Sequence, residues 1–150
     1  MFAVLYLPDF ALQAVLRHEP GVMGDPIALV DPAHSTPRVF LMTSAARQVG
    51  IEIGQTAVQA MARCTTVRVR HRSPRQEAAA IGAVLQVAFA FSPHLELTGP
   101  ETVTLDLRGL VELQGTAPAS TPAIGAAPAP ALAAWARRLQ TALGALGLKA

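Results

Sequence analysis

Lysine, cysteine, tyrosine and tryptophan each occur once in the 150 residues, as Lys149, Cys64, Tyr6 and Trp135, and charged residues make up only 15%. One cysteine excludes an internal disulfide and a thiolate metal cluster, and points to a reducing, cytoplasmic setting. The low charge and the 51% hydrophobic content exclude a disordered polyelectrolyte and allow a buried core. A net charge of +2 is too slight to define a polyanion-binding protein by itself. The N-terminus, MFAVLYLPDF, has no basic leader and is broken by Pro8-Asp9, so it does not read as a signal peptide. The uncharged run Ala78 to Phe91, fourteen residues, falls short of the roughly 20 needed to cross a bilayer. It is expected to form a buried helix, and no membrane partner is expected. There is no repeat, glycine-rich phosphate loop, His/Cys metal spacing or nucleophile elbow.

What is present centres on Phe91 to Leu110, FSPHLELTGPETVTLDLRGL. Two runs, His94 to Leu97 and Thr102 to Leu107, alternate apolar with polar residues around the turn Thr98-Gly99-Pro100-Glu101, the pattern of a β-hairpin. Leu95, Leu97, Val103, Leu105 and Leu107 are expected on the core face. Glu96, Thr102, Thr104 and Asp106 are expected on the opposite face, where chemistry would first be sought.

Upstream, Phe2 to Leu7 is a continuous apolar run that fits a central strand covered on both faces. A corner at Pro8-Asp9 then leads into a helix over Phe10 to Arg17, with Asp9 as its cap. Strands are expected at Pro26 to Val30, Arg38 to Met42 and Thr65 to Arg70. Two short helices lie among them: Ser44 to Gly50, capped by Thr43 or Ser44 and stopped by Gly50, and Thr56 to Arg63. Cys64 reads as a small buried residue at a helix end. A long helix over Arg75 to Phe91 precedes the hairpin. An Ala/Pro-rich stretch at 113–130 has the composition of a flexible insertion. Ala131 to Leu146 recovers helical spacing, with Leu132, Trp135, Leu139 and Leu143 on one stripe.

Eleven of the twelve cationic side chains are arginines, whose planar guanidinium suits phosphate. Arg68, Arg70, Arg72 and Arg75 form the densest positive cluster. Phosphate contact, hence DNA binding, is one role for it; a solvated strand edge that discourages pairing with other chains is the other.

Strand, corner, helix, a small α/β insertion bearing Ala46-Arg47-Gln48-Val49-Gly50-Ile51-Glu52-Ile53-Gly54, a long helix, Phe91-Ser92-Pro93, and a hairpin ending Leu105-Asp106-Leu107-Arg108-Gly109 is a specific order. It resembles the N-terminal part of the Y-family translesion DNA polymerases, most closely their ImuB-type branch. The resemblance implies an α/β (α+β) fold: a polymerase palm-like sheet with packed helices and a small inserted α/β fingers subdomain. The palm would occupy 1–23 and 73–112, the fingers 24–72, and a further palm helix 131–150, after which the chain stops where the next palm strand is expected.

Active members of the family resemble one another in carrying an aspartate on the first strand and an Asp-Glu pair on the hairpin, which together hold two Mg²⁺ ions. Those positions fall on Tyr6 and on Glu101-Thr102, so at most Glu101 remains as a metal ligand. The family's sugar-facing aromatic falls near Ala11 and its triphosphate-contacting tyrosine on Ser44, whereas the arginine partner matches Arg47. The resemblance therefore implies a non-catalytic DNA-damage-tolerance component without a cofactor. Its partners would be DNA, a sliding clamp, an error-prone replicative-type polymerase and a RecA-like accessory protein. Two alternatives stay open: an active but diverged polymerase, which would need Mg²⁺ at a site around Glu101, and a protein-interaction domain without DNA contact.

Overall fold

A computed structural model of the chain describes residues 1–19, 21–33, 35–110 and 130–150. The Ala/Pro-rich stretch expected at 113–130 lies, save Pro130, outside the described residues. The elements run β1 (Phe2–Tyr6), α1 (Phe10–Leu16), β2 (Ile27–Val30), β3 (Val39–Met42), α2 (Ser44–Gln48), α3 (Ala57–Arg63), β4 (Arg68–His71), α4 (Pro74–Phe91), β5 (Leu95–Gly99), β6 (Thr102–Asp106) and α5 (Pro130–Gly144). They form two compact units, Asp9–Ala80 and Met1–Pro8 with Ile81–Ala150. The units divide at 8/9 and 80/81, where the sequence reading placed 23/24 and 72/73; at the first division, α1 shares a core with β2 and so belongs to the inserted unit. No described helix is long and apolar enough to cross a membrane.

The inserted unit is built on the sheet β3-β2-β4, with β2 antiparallel to β3 and parallel to β4. Central β2 reads Ile-Ala-Leu-Val, and all four residues are buried. Ile27 and Leu29 pack with Ala11, Leu12, Val15 and Leu16 of α1. Ala28 and Val30 pack on the other face with Ala46, Ile51 and Ala60. This is the two-faced burial that a continuous apolar run signals. Thr43 secures the layer beside it: its hydroxyl accepts from Ile27 N (3.0 Å) and Ala46 N (3.3 Å) and donates to Asp25 O (2.7 Å). Thr56 and Gln59 close a reciprocal capping box on α3, and Gly50 stops α2 at φ 85°, a left-handed conformation that favours glycine. Asp9 corrects the expected cap. It holds the N-cap position at φ 50° with no side-chain cap bond, and its carbonyl alone accepts from Leu12 N and Gln13 N. Cys64 is half-buried against the core rather than enclosed, its sulfur 3.2 Å from the Thr66 hydroxyl.

The other unit carries the sheet β1-β6-β5, antiparallel throughout. The hairpin forms as expected, with a register shift between Leu97 and Gly99. Leu5, Val103, Leu105 and Leu107 are buried, as are Trp135, Leu139 and Leu143 of α5. Phe91 meets Trp135 edge-on at 5.9 Å. Ser92, fully buried, donates to Asp106 O at 2.6 Å and accepts from His94 N at 3.3 Å, which fastens the end of α4 to the hairpin.

Three expectations are corrected here. Strand β1 is an edge strand of the described sheet, not a central one, and its alternate residues Phe2, Val4 and Tyr6 are exposed. Leu97 lies on the core side but is 46% exposed, because β5 is the other edge. Helix α4 buries only the stripe Ala80, Val84 and Ala88. Its Phe89 is exposed, so an uncharged run did not mean a covered helix.

Removing a buried hydroxyl that serves several backbone groups strands those groups. Thr43→Val and Ser92→Ala are each expected to lower the unfolding free energy by about 1–3 kcal/mol in urea titrations. Thr98→Val, at an exposed site, should stay within about 0.5 kcal/mol of the parent.

Candidate functional site

Pairing of β1 with β6 decides what the open face of that sheet contains. In register, Phe2 opposes Asp106, Val4 opposes Thr104 and Tyr6 opposes Thr102, and Thr104 in turn opposes Glu96. Directly opposed residues on one face hold their Cβ atoms within about 5.5 Å. The two positions expected to carry lost carboxylates, Tyr6 and Thr102, are thus brought together. Glu101 sits beside them in the turn, its carbonyl accepting from Leu7 N at 2.9 Å.

The donor set does not fit the Mg²⁺ pair that the family implies. A hard dication takes several anionic or carbonyl oxygens, and this cluster offers one carboxylate, a phenol and a hydroxyl. Among the described residues no group of three His, Cys, Asp or Glu side chains is arranged to hold a metal ion.

Asp106, at the far end of β6, is engaged elsewhere. Its carboxylate accepts from Arg108 N (2.9 Å), Nε (2.8 Å) and Nη2 (2.6 Å), closing a local loop before Gly109. These bonds from Arg108 hold the Asp106 carboxyl down at about 2. The same guanidinium lies over the Phe2 ring at 5.5 Å.

In the inserted unit, Ser44 and Arg47 stand three residues apart on α2, on one helical face, and both are exposed. Arg47 makes no ion pair among the described residues. Ala11 is buried in the α1 core and cannot stand in for an exposed aromatic.

The arginine cluster is largely neutralised. Arg68 pairs with Asp25 (3.3 Å), Arg70 with Glu19 (2.9 Å), and Arg72 with Glu77 (2.8 Å) and Asp31 (3.5 Å). Arg72 also lies over Phe40 at 5.9 Å, and its carboxylate partners raise its already high pKa. Edge strand β4 is thereby tied to the segments around Glu19, Asp25 and Asp31. Arg75, exposed at the start of α4, has no ion pair among the described residues.

Sequence reasoning missed Phe2 and Val4, exposed beside Tyr6 on the open face, and the pairing of Arg108 with Asp106. The apolar run held no sign of the first, since periodicity appears only when polar residues alternate. The Asp-Leu-Arg spacing did signal the second.

Two units, each a three-stranded sheet packed with helices, one inserted in the other, make up the palm and fingers fold of Y-family DNA polymerases. The sequence profile of the impB/mucB/samB family matches residues 5–148, and the chain belongs to that family. Among solved structures it is similar to DinB from Sulfolobus solfataricus, with a TM-score of 0.70 and 14% identity over 99% of this chain and 40% of that one. It is likewise similar to an insertion ternary complex of Dbh DNA polymerase, with a TM-score of 0.72 and 14% identity over 99% of this chain and 41% of that one. A post-insertion binary complex of Dbh gives a TM-score of 0.62 and 17% identity over 75% of this chain and 33% of that one. The chain therefore spans about 40% of the length of the polymerase structures that cover it most fully. No curated protein matches the sequence.

The Asp106–Arg108 pair yields a pH prediction. Because the folded pKa lies below the unfolded value of about 3.9, the pair stabilises fully above pH ~4 and the contribution is lost as pH falls toward about 2. A carbon-detected NMR titration should place the Asp106 midpoint near 2, and Arg108→Ala should return it toward the ordinary carboxylate range.

Proposed function

We propose that the protein is a translesion-synthesis factor that does not itself polymerise, acting as a DNA- and partner-binding component beside another polymerase. The observation that carries this reading is the opposition of Tyr6 and Thr102 where metal-binding carboxylates would be needed. Two ions bridging a primer hydroxyl and a triphosphate require anionic oxygens from both strands, and neither of these side chains supplies one at neutral pH. A sliding clamp, an error-prone replicative-type polymerase and a RecA-like accessory protein are the partners in this proposal, and the ImuB-type branch is its place in the family.

Within this reading, DNA phosphates fall first to Arg47 and Arg75, whose guanidinium groups hold no carboxylate among the described residues. Arg68, Arg70 and Arg72 come second, because a phosphate would have to displace Asp25, Glu19, Glu77 or Asp31. A solvent-screened ion pair is worth only about 0–1 kcal/mol, so such an exchange is affordable, but it contributes less than a free cation does.

The test is primer extension by the full-length protein with Mg²⁺ or Mn²⁺ on intact and abasic templates, beside Glu101→Ala. The expected outcome is no incorporation by either protein, with primer-template still bound in a gel-shift measurement. Incorporation that disappears in Glu101→Ala would establish a working metal site and overturn the proposal. A second measurement separates the cations: Arg47→Ala with Arg75→Ala should flatten the salt dependence of DNA affinity by about two phosphate contacts. Neutralising Arg68 and Arg70 should change it less.

A further inference from the structure

Beside the connection from β2 to β3 lies a concavity of about 460 Å³, lined by Asp31, Ser35, Thr36, Arg38, Val39 and Phe40. It belongs wholly to the inserted unit, and Arg47, Arg68, Arg70 and Arg75 do not line it. The backbone at its base is fixed. Val39 N donates to Gln55 O (2.8 Å), Gly54 N donates to Val39 O (2.7 Å), and Arg38 forms an antiparallel bridge with Thr56. The Arg38 side chain is exposed yet tethered, because its Nη1 donates to Gly54 O at 2.7 Å. A guanidinium carries five N–H donors in a planar fork, so one such bond leaves the rest for a ligand.

Charge sets the sign of that ligand. Asp31, the acid in the wall, is already balanced: its carboxylate accepts from Ala33 N at 2.9 Å and pairs with Arg72 at 3.5 Å. Arg38 has no ion pair among the described residues. Ser35 and Thr36 are exposed in the same wall, and neither hydroxyl has a hydrogen bond among the described residues. A carboxylate, with two oxygens, is filled by a guanidinium fork alone, whereas a phosphoryl group has three and takes further donors such as hydroxyls. A bare phosphate does not fill the volume, which falls in the range of small-molecule sites. The rest of the wall is apolar and pinned, since Val39 is buried and half-buried Phe40 has the Arg72 guanidinium 5.9 Å over its ring.

We propose that this concavity binds a phosphoryl group carried on an organic body. Arg38 supplies the charge, Ser35 and Thr36 donate to the remaining oxygens, and the body rests against Phe40. Two sources share this chemistry, the phosphodiester backbone of a nucleic acid and a terminal phosphate monoester. The site does not rest on the DNA-binding reading, since its first probe is inorganic phosphate, and the two can fail separately.

The experiment is an amide NMR titration of the full chain, at constant pH and ionic strength, with inorganic phosphate, acetate, and a thymidine tetranucleotide with and without a 5′ phosphate. Phosphate is expected to move the Ser35, Thr36 and Arg38 signals saturably, while acetate at equal concentration leaves them in place. The oligonucleotides are expected to bind more tightly than phosphate: preference for the phosphorylated one identifies a monoester ligand, and equal binding of both identifies a phosphodiester. Arg38→Gln, which removes the charge-assisted donors, should weaken phosphate binding roughly ten-fold. It also loses the bond to Gly54, so Ser35→Ala/Thr36→Val is the second variant; it keeps Arg38 and its tether and should weaken binding several-fold. Retention of the parent's circular dichroism checks that each variant folds. No saturable shift, an equal response to acetate, oligonucleotides that bind no more tightly than phosphate, or affinity indifferent to both variants would overturn the proposal.

Discussion

Antiparallel pairing of β1 with β6 is the constraint on which the rest of the palm unit depends. It places Leu5 with Val103 on the buried side and, because side chains alternate, sends Tyr6 and Thr102 to the open side together. A slip of one residue would bury Tyr6 and expose Leu5. The apolar face that stabilises the sheet therefore also fixes what faces outward, a phenol and a hydroxyl opposed across two strands. The Ser92 hydroxyl reinforces that register by joining the end of α4 to the last carbonyl of β6.

The inserted unit solves a different problem. Its central strand is buried on both faces, so stability comes from two apolar layers, and the short parallel strand β4 is left at an edge with arginines at alternate positions. Those arginines are held by carboxylates drawn from three segments that precede or follow β2, and by Glu77 at the start of α4. Ion pairs of this exposure add little stability each. Their larger effect is on availability: a guanidinium already satisfied by a carboxylate is a poorer phosphate ligand than one facing water, which changes the ranking that a list of basic residues would give.

The two faces of chemistry thus separate. Arg47 on α2 and Arg75 at the start of α4 have no ion pair among the described residues of one unit, while the open sheet face of the other unit combines exposed apolar side chains with acidic ones. The acidic residues described in that unit, Glu96, Glu101 and Asp106, are spread along the hairpin, and Asp106 is bound by Arg108.

Much of this was legible in the residues alone. Alternation at 94–97 and 102–107 specified the hairpin, and Thr43, Thr56 and Gly50 marked helix ends, because local patterns and short-range caps are written in neighbouring residues. What the sequence could not decide was which apolar surfaces find partners. The runs Phe2 to Leu7 and Ile27 to Val30 look alike as text, yet one lies at an edge with an open face and the other between two helical layers. Likewise Arg68, Arg70 and Arg72 look like a free cluster until the fold brings Asp25, Glu19 and Asp31 beside them. Burial and charge pairing are properties of residues distant in the chain, and only the tertiary structure determines which of them meet.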